Sequence, residues 1–100
     1  MLRQRQKYSL SELIQYCENY LNGLFPTLPI SIALEYIGDC ALCQKDREAR
    51  KYLIGLLGHS ELACRFFALN FLSRIKDLEP GEKVVLDYYK KKYNFNIHLG

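Results

Sequence analysis

The residues best suited to chemistry are two cysteines, Cys40 and Cys43, in a C-x-x-C spacing. This spacing occurs in zinc sites and in thiol–disulfide redox centres. A structural zinc site needs four ligands, and the remaining cysteines and histidines, at positions 17, 59, 64 and 98, form no second close pair. A thioredoxin-like redox site needs a strand-to-helix junction, whereas Cys40 and Cys43 fall near a predicted helix end. We therefore expect no metal and no cofactor, and we keep the two cysteines as the alternative metal or redox site.

Acid–base chemistry has little support in the sequence. His59 and His98 are the only imidazoles, and neither lies beside a patterned nucleophile or a carboxylate pair. The phosphate-binding, dinucleotide-binding and zinc-protease motifs G-x-x-x-x-G-K-[ST], G-x-G-x-x-G and H-E-x-x-H do not occur. We expect that the protein is not an enzyme.

The positive charge of the chain is concentrated at its start. The net charge is +3, from 14 basic and 11 acidic residues, and Arg3, Arg5 and Lys7 precede the first acidic residue. Without these three the chain is neutral, whereas proteins that neutralise many phosphates usually carry a concentrated positive surface. The charge therefore gives little support to nucleic-acid binding.

A second basic segment, YYKKKY at 88–93, mixes aromatic and basic side chains, as some single-strand-binding surfaces do. Lysines in a last helical turn also complement the helix dipole, which favours a solvated helix end. A nucleic-acid-binding module remains the alternative function. Its candidate residues are Arg3, Arg5, Lys7, Lys90, Lys91 and Lys92.

Length and composition predict one domain over residues 1–100, with a basic arm at 1–8 and a tail at 94–100. The hydrophobic fraction of 49% is in the globular range. No apolar stretch approaches the roughly 20 residues that span a bilayer, and no apolar core follows the basic start as in a secretory signal. We expect a cytoplasmic protein without a membrane partner.

Five helices are predicted from start and stop signals. Ser9 and Glu12 form a capping box for the first helix, and Pro29 suits the first turn of the second, which should end near Cys43. Asp46 can cap the third helix, with Gly58 as a left-handed stop. Ser60 should begin the fourth helix, and the fifth should run from about residue 82 to 93 after Pro80.

Apolar residues at helical spacing predict the core. The fourth helix is apolar over most of its circumference and should be the central element. The predicted core residues are Leu10, Leu13, Ile14, Cys17, Leu21, Leu24, Ile30, Ala33, Leu34, Ile37, Cys40, Ala41, Ala49, Tyr52, Leu53, Leu56, Leu57, Cys64, Phe67, Ala68, Phe71, Leu72, Ile75, Leu78, Val85, Leu86, Tyr89 and Tyr93.

The third and fourth helices are joined by a very short polar turn, so they should form an antiparallel hairpin. Its residues read Leu53-x-x-Leu56-Leu57, then a polar turn, then Cys64-Arg65-x-x-Ala68-x-x-x-Leu72. This pattern resembles a HEAT repeat, in which a leucine-rich first helix and a polar turn precede a V-R-x-x-A-x-x-x-L second helix. The first two helices would form an earlier repeat.

The resemblance implies an all-α fold of about five helices, with hairpins stacked as a short HEAT-like superhelix. It implies a non-catalytic module for protein binding or scaffolding, whose partner is another protein. HEAT-like arrays bind through the surface formed by successive second helices. The binding residues it brings into question here are Glu35, Tyr36, Arg65, Asn70 and Arg74.

Arg65 lies near the turn of this hairpin, inside an apolar run. We interpret it as architectural, with its guanidinium bonded to the turn, to Glu61 one turn earlier or to an adjoining repeat.

Overall fold

The fold is all-α. The computed structural model describes residues 8–24 and 29–94, and within these ranges the chain forms five helices and no strand. The helices are α1 Leu10–Leu21, α2 Ile30–Leu42, α3 Arg47–Leu56, α4 Leu62–Ser73 and α5 Pro80–Lys92. The prediction of five helices is confirmed. The predicted tail at 94–100 lies outside the described residues, apart from Asn94.

Two of the predicted helix starts, those of α1 and α3, are confirmed by their capping contacts. At α1, the Glu12 backbone N–H donates to Ser9 Oγ at 3.2 Å, and the Ser9 N–H donates to Glu12 Oε1 at 2.7 Å. At α3, Asp46 Oδ1 accepts from the Ala49 N–H at 3.0 Å. At α5, Pro80 occupies the first helical position, so this helix begins two residues before the predicted start.

The turn between α3 and α4 differs from the prediction at two residues. Glu61, not Ser60, caps α4, because its Oε1 accepts from the Cys64 N–H at 3.0 Å. Gly58 does not adopt the expected left-handed conformation, which among the described glycines occurs at Gly23. Gly58 instead provides space, since a Cβ there would lie 2.7 Å from the Tyr89 hydroxyl oxygen.

The helices form two hairpins closed by a fifth helix. α1 packs on α2, α3 packs on α4, and α2 also contacts both α3 and α4. α5 covers α4 and α3. No helix of the described ranges has both the length and the apolar character needed to cross a membrane.

The predicted core is largely confirmed, with α4 contacting α2, α3 and α5. Leu24 is the exception, because it follows the end of α1 and its side chain is 58% exposed. On α4, Leu69 is buried, whereas Phe66 is 51% exposed. The surplus of apolar residues on α4 therefore leaves one large ring at the surface.

Two tyrosine–glutamate contacts join the first hairpin to the second. The Tyr52 hydroxyl on α3 donates to Glu18 Oε2 on α1 at 2.6 Å, and the Tyr20 hydroxyl donates to Glu61 Oε2 at 3.4 Å. Burial and the bond to Glu18 raise the pKa of Tyr52. The Glu61 carboxylate raises the pKa of Tyr20. Both phenols therefore stay protonated at neutral pH and act as donors.

One buried charge, Arg50, joins three parts of the chain. It lies in the first turns of α3 and is only 6% exposed. Its Nε donates to the Ala41 carbonyl at 2.8 Å, in the last turn of α2, and its Nη2 donates to Asp77 Oδ1 at 3.0 Å, in the α4–α5 connection. Lys45 Nζ lies 3.9 Å from the other Asp77 oxygen. This role of Arg50 was not predicted from the sequence, because its partners are a backbone carbonyl and a residue 27 positions away.

The Asp77 contacts predict a dependence of stability on pH. Desolvation acts to raise the pKa of Asp77, but the bond and charge of Arg50, with smaller effects of backbone bonding and Lys45, lower it below its ordinary value. A carboxyl whose folded pKa is lowered contributes stability above its unfolded pKa, and this contribution is lost as pH falls through the folded pKa. We expect Asp77→Asn to be less stable than the parent at neutral pH, and the difference to shrink in acid.

Urea unfolding of both proteins at neutral and acidic pH measures this effect. Asp87→Asn, on the exposed face of α5, is the matched control and should change the stability little. A difference between Asp77→Asn and the parent that is the same at both pH values would contradict the role of the Asp77 charge.

Candidate functional site

The two cysteines of the C-x-x-C pair have different surroundings. Cys40 is buried in the core of α2, and Cys43 follows the end of that helix and is exposed. Among the residues that the structure describes, no three His, Cys, Asp or Glu side chains are grouped in a way that could hold a metal ion. His98 lies outside those residues. The pair is thus divided between the interior and the surface.

The buried thiols are held in their protonated form. Burial, with a smaller contribution from nearby carboxylates, raises the pKa of Cys17 to about 12 and that of Cys64 to about 12. Burial also raises the pKa of Cys40. Because the thiolate is the reactive species, these three cysteines pack as small apolar groups and are poor nucleophiles at neutral pH.

These environments predict a selective thiol reaction. With an aromatic disulfide reagent at neutral pH, the folded protein should release one equivalent rapidly, from Cys43, and the other three only on unfolding. Cys43→Ser should abolish the rapid phase. Rapid reaction of two or more thiols in the folded protein would contradict the burial of Cys40.

His59 has a structural role in the α3–α4 turn. Its Nδ1 accepts from the Glu61 backbone N–H at 3.0 Å, and its own backbone N–H donates to the Leu56 carbonyl. The imidazole therefore holds the turn that precedes α4.

Arg65 also contacts this turn, and it contacts Tyr93 at the end of α5. Its Nη1 donates to the His59 carbonyl at 3.4 Å, and its guanidinium carbon lies 4.3 Å from the centre of the Tyr93 ring. The alternative pairing with Glu61 does not form, and the Glu61 carboxylate instead accepts from the Cys64 N–H and from the Tyr20 hydroxyl. Arg65 thus joins α4 to α5.

These contacts predict that Arg65→Ala lowers the free energy of unfolding by about 1 kcal/mol, mainly through the cation–π contact with Tyr93. Arg65→Lys should recover part of the loss, since lysine keeps the charge but not the planar stacking group. A double-mutant cycle with Tyr93→Leu, measured by chemical denaturation, isolates the contact. Arg47→Ala, at an exposed arginine on α3, is the control. Additive effects of the Arg65 and Tyr93 changes would contradict the assignment.

In the basic and aromatic segment of α5, the Lys92 ammonium lies near three tyrosine rings. Its Nζ lies 5.8 to 5.9 Å from the ring centres of Tyr88, Tyr89 and Tyr93. Lys91 is exposed, and Lys90 is half-buried. The other residues of the nucleic-acid alternative, Arg3, Arg5 and Lys7, lie outside the described residues.

A groove with a volume of about 160 Å³ lies between α2 and the outer face of α4. Its lining consists of one residue of α2 and five at positions 66–74. These residues are Glu35, Phe66, Phe67, Asn70, Phe71 and Arg74. Of the five predicted binding residues, Glu35, Asn70 and Arg74 thus come together, whereas Tyr36 is half-buried against the core and Arg65 lies at the turn.

The floor of the groove is set by a close approach of α2 to α4. A Cβ at Gly38 would lie 2.6 Å from atoms of the Phe71 ring, so this glycine lets the ring rest on the α2 backbone. Phe67 stacks on Phe71 with 6.1 Å between ring centres. The apolar floor is therefore built from α4 rings that are packed in place.

The edge of the groove at the end of α4 is polar and ordered. Arg74 Nε and Nη2 donate to Asn70 Oδ1 at 3.2 and 3.0 Å. The Arg74 guanidinium carbon lies 4.8 Å from the centre of the Phe71 ring. These contacts place the guanidinium over the apolar floor. The groove combines an apolar surface with an oriented cation.

No protein-family model matches the chain, and no curated protein or solved structure matches it either. The assignment of a function therefore depends on the groove itself.

The sequence analysis missed the three phenylalanines as site residues. Phe67 and Phe71 were assigned to the core because they follow the apolar stripe of α4. The signal that could have identified them is Phe66, which lies off that stripe and makes α4 more apolar than one buried face requires.

Proposed function

We propose that the protein is a short HEAT-like array that binds another protein through the groove between α2 and α4. The order of contacts supports this proposal, since α1 with α2 and α3 with α4 form hairpins whose second helices pack on each other. In arrays of stacked hairpins, this shared surface of second helices is extended and available to a partner.

The observation that carries the proposal is the composition of the groove. Three phenylalanines give it an apolar floor, and Glu35, Asn70 and Arg74 place polar groups at its edges. Protein interfaces have this arrangement, in which aromatic residues and arginine contribute most of the binding energy.

A binding role without catalysis fits the same residues. Glu35 is the one lining side chain that could act as a general base, and no thiol, hydroxyl, imidazole or second carboxylate lines the groove with it. The four free cysteines fit a reducing compartment, so we place the protein in the cytoplasm.

The experiment is partner capture from the cells that produce the chain. Asn70→Trp should fill the groove with a bulky ring, whereas Lys51→Trp puts the same ring on the exposed face of α3 and is the matched control. We expect the parent and Lys51→Trp to retain the same protein partners and Asn70→Trp to lose them, with equal helix content for all three by circular dichroism.

Two results would contradict this proposal. Capture that is unchanged by Asn70→Trp would place the binding surface elsewhere. Capture that is removed by nuclease and by moderate salt, and is weakened by Lys91→Glu, would favour the nucleic-acid alternative on α5.

A further inference from the structure

The dimensions and charges of the groove indicate what kind of partner it binds. This inference rests on the proposed function. We propose that the groove binds a peptide segment that presents one phenylalanine or leucine side chain beside a carboxylate. The apolar side chain would enter between the phenylalanines, and the carboxylate would bind Arg74.

The volume of the groove limits how much of the partner it can hold. A cavity of about 150 Å³ lined by apolar side chains holds one benzene molecule, and the groove measures about 160 Å³. It therefore has room for one large side chain and not for a row of them. The lining rings favour an aromatic side chain, because offset or edge contacts between rings add to the energy of burial. A leucine side chain has a suitable size and gains the energy of burial alone.

Arg74 is oriented for a carboxylate. Its Nε and one hydrogen of Nη2 are directed at Asn70 Oδ1, which leaves the edge formed by Nη1 and Nη2 for a second acceptor. A carboxylate binds that edge through two parallel hydrogen bonds. The guanidinium carbon lies 4.8 Å from the centre of the Phe71 ring, so the Arg74 cation lies beside the apolar lining. The acidic residue of the partner should thus be a close neighbour of the apolar one.

Glu35 sets the direction in which the segment lies. It lines the groove from α2, whereas Arg74 follows the last residue of α4. The negative and the positive charge therefore lie on different parts of the groove wall. A partner carboxylate beside Glu35 would be repelled, whereas one beside Arg74 is attracted. The groove therefore selects the placement of the acidic residue as well as its presence.

The test is selection of random peptides displayed on phage against the full-length chain, with elution by the purified parent protein. We expect enriched peptides to contain phenylalanine or leucine with aspartate or glutamate within about four residues, the reach of one helical turn. Arg74→Glu should bind these peptides at least about tenfold more weakly, a loss typical of a charge pair. Lys76→Glu, two residues beyond, is the matched control and should bind as the parent does.

Charge reversal in the peptide distinguishes a lost contact at residue 74 from a folding defect of Arg74→Glu. Arg74→Glu should bind the same peptides with lysine in place of the acidic residue, and the parent should bind these altered peptides poorly. Rescue of this kind requires a folded groove and a direct contact with residue 74.

The other outcomes separate this inference from the proposed function. Enriched peptides that compete for the groove but carry no acidic residue, or that bind Arg74→Glu unchanged, would overturn the inference while leaving a protein-binding groove. No enrichment, or peptides that bind Asn70→Trp as well as the parent, would overturn both. Dimerisation in sedimentation experiments that Asn70→Trp abolishes would identify a second copy as the occupant and overturn the inference.

Discussion

The arrangement of the helices depends on the hydrogen bonds of Arg50. A buried guanidinium is stable only where its donors find acceptors, and here those acceptors are the Ala41 carbonyl at the end of α2 and the Asp77 carboxylate between α4 and α5. The arginine therefore fixes three segments at one end of the molecule. Removal of its side chain would leave a buried carbonyl without its partner, which costs about 1–3 kcal/mol.

The groove follows from the distance between α2 and α4. Gly38 lies at this contact, because a Cβ there would meet the Phe71 ring at 2.6 Å. The helix α2 backbone can therefore approach α4 closely. Phe71 packs against the backbone at Gly38, whereas Phe66 lies off the buried stripe of α4 and is exposed. Phe66 therefore leaves aromatic surface on the outer side of α4 beside the packed rings.

Local signals were sufficient to predict the helices. Ser9, Asp46 and Pro80 act within one helical turn of their own positions, and the periodic apolar residues report which face is buried. The contacts of Arg50 and Gly38 could not be predicted, because their partners lie far away in the sequence and include backbone atoms. Three of the five residues predicted for the candidate site, Glu35, Asn70 and Arg74, line one groove. Arg65 does not line it and contacts the Tyr93 ring on α5 instead.

The attachment of α5 has a consequence for the dynamics of the chain. Leu86 is its one residue that is fully buried, and its other contacts with the body are half-buried tyrosines, Val85 and the Arg65 stack. An element with so little buried surface opens at a lower free energy than the more deeply buried helices α2 and α4. Amide hydrogens of α5 should therefore exchange with solvent before those of α2 and α4. Such partial opening would bare the side of α4 opposite the groove while the groove itself stays assembled.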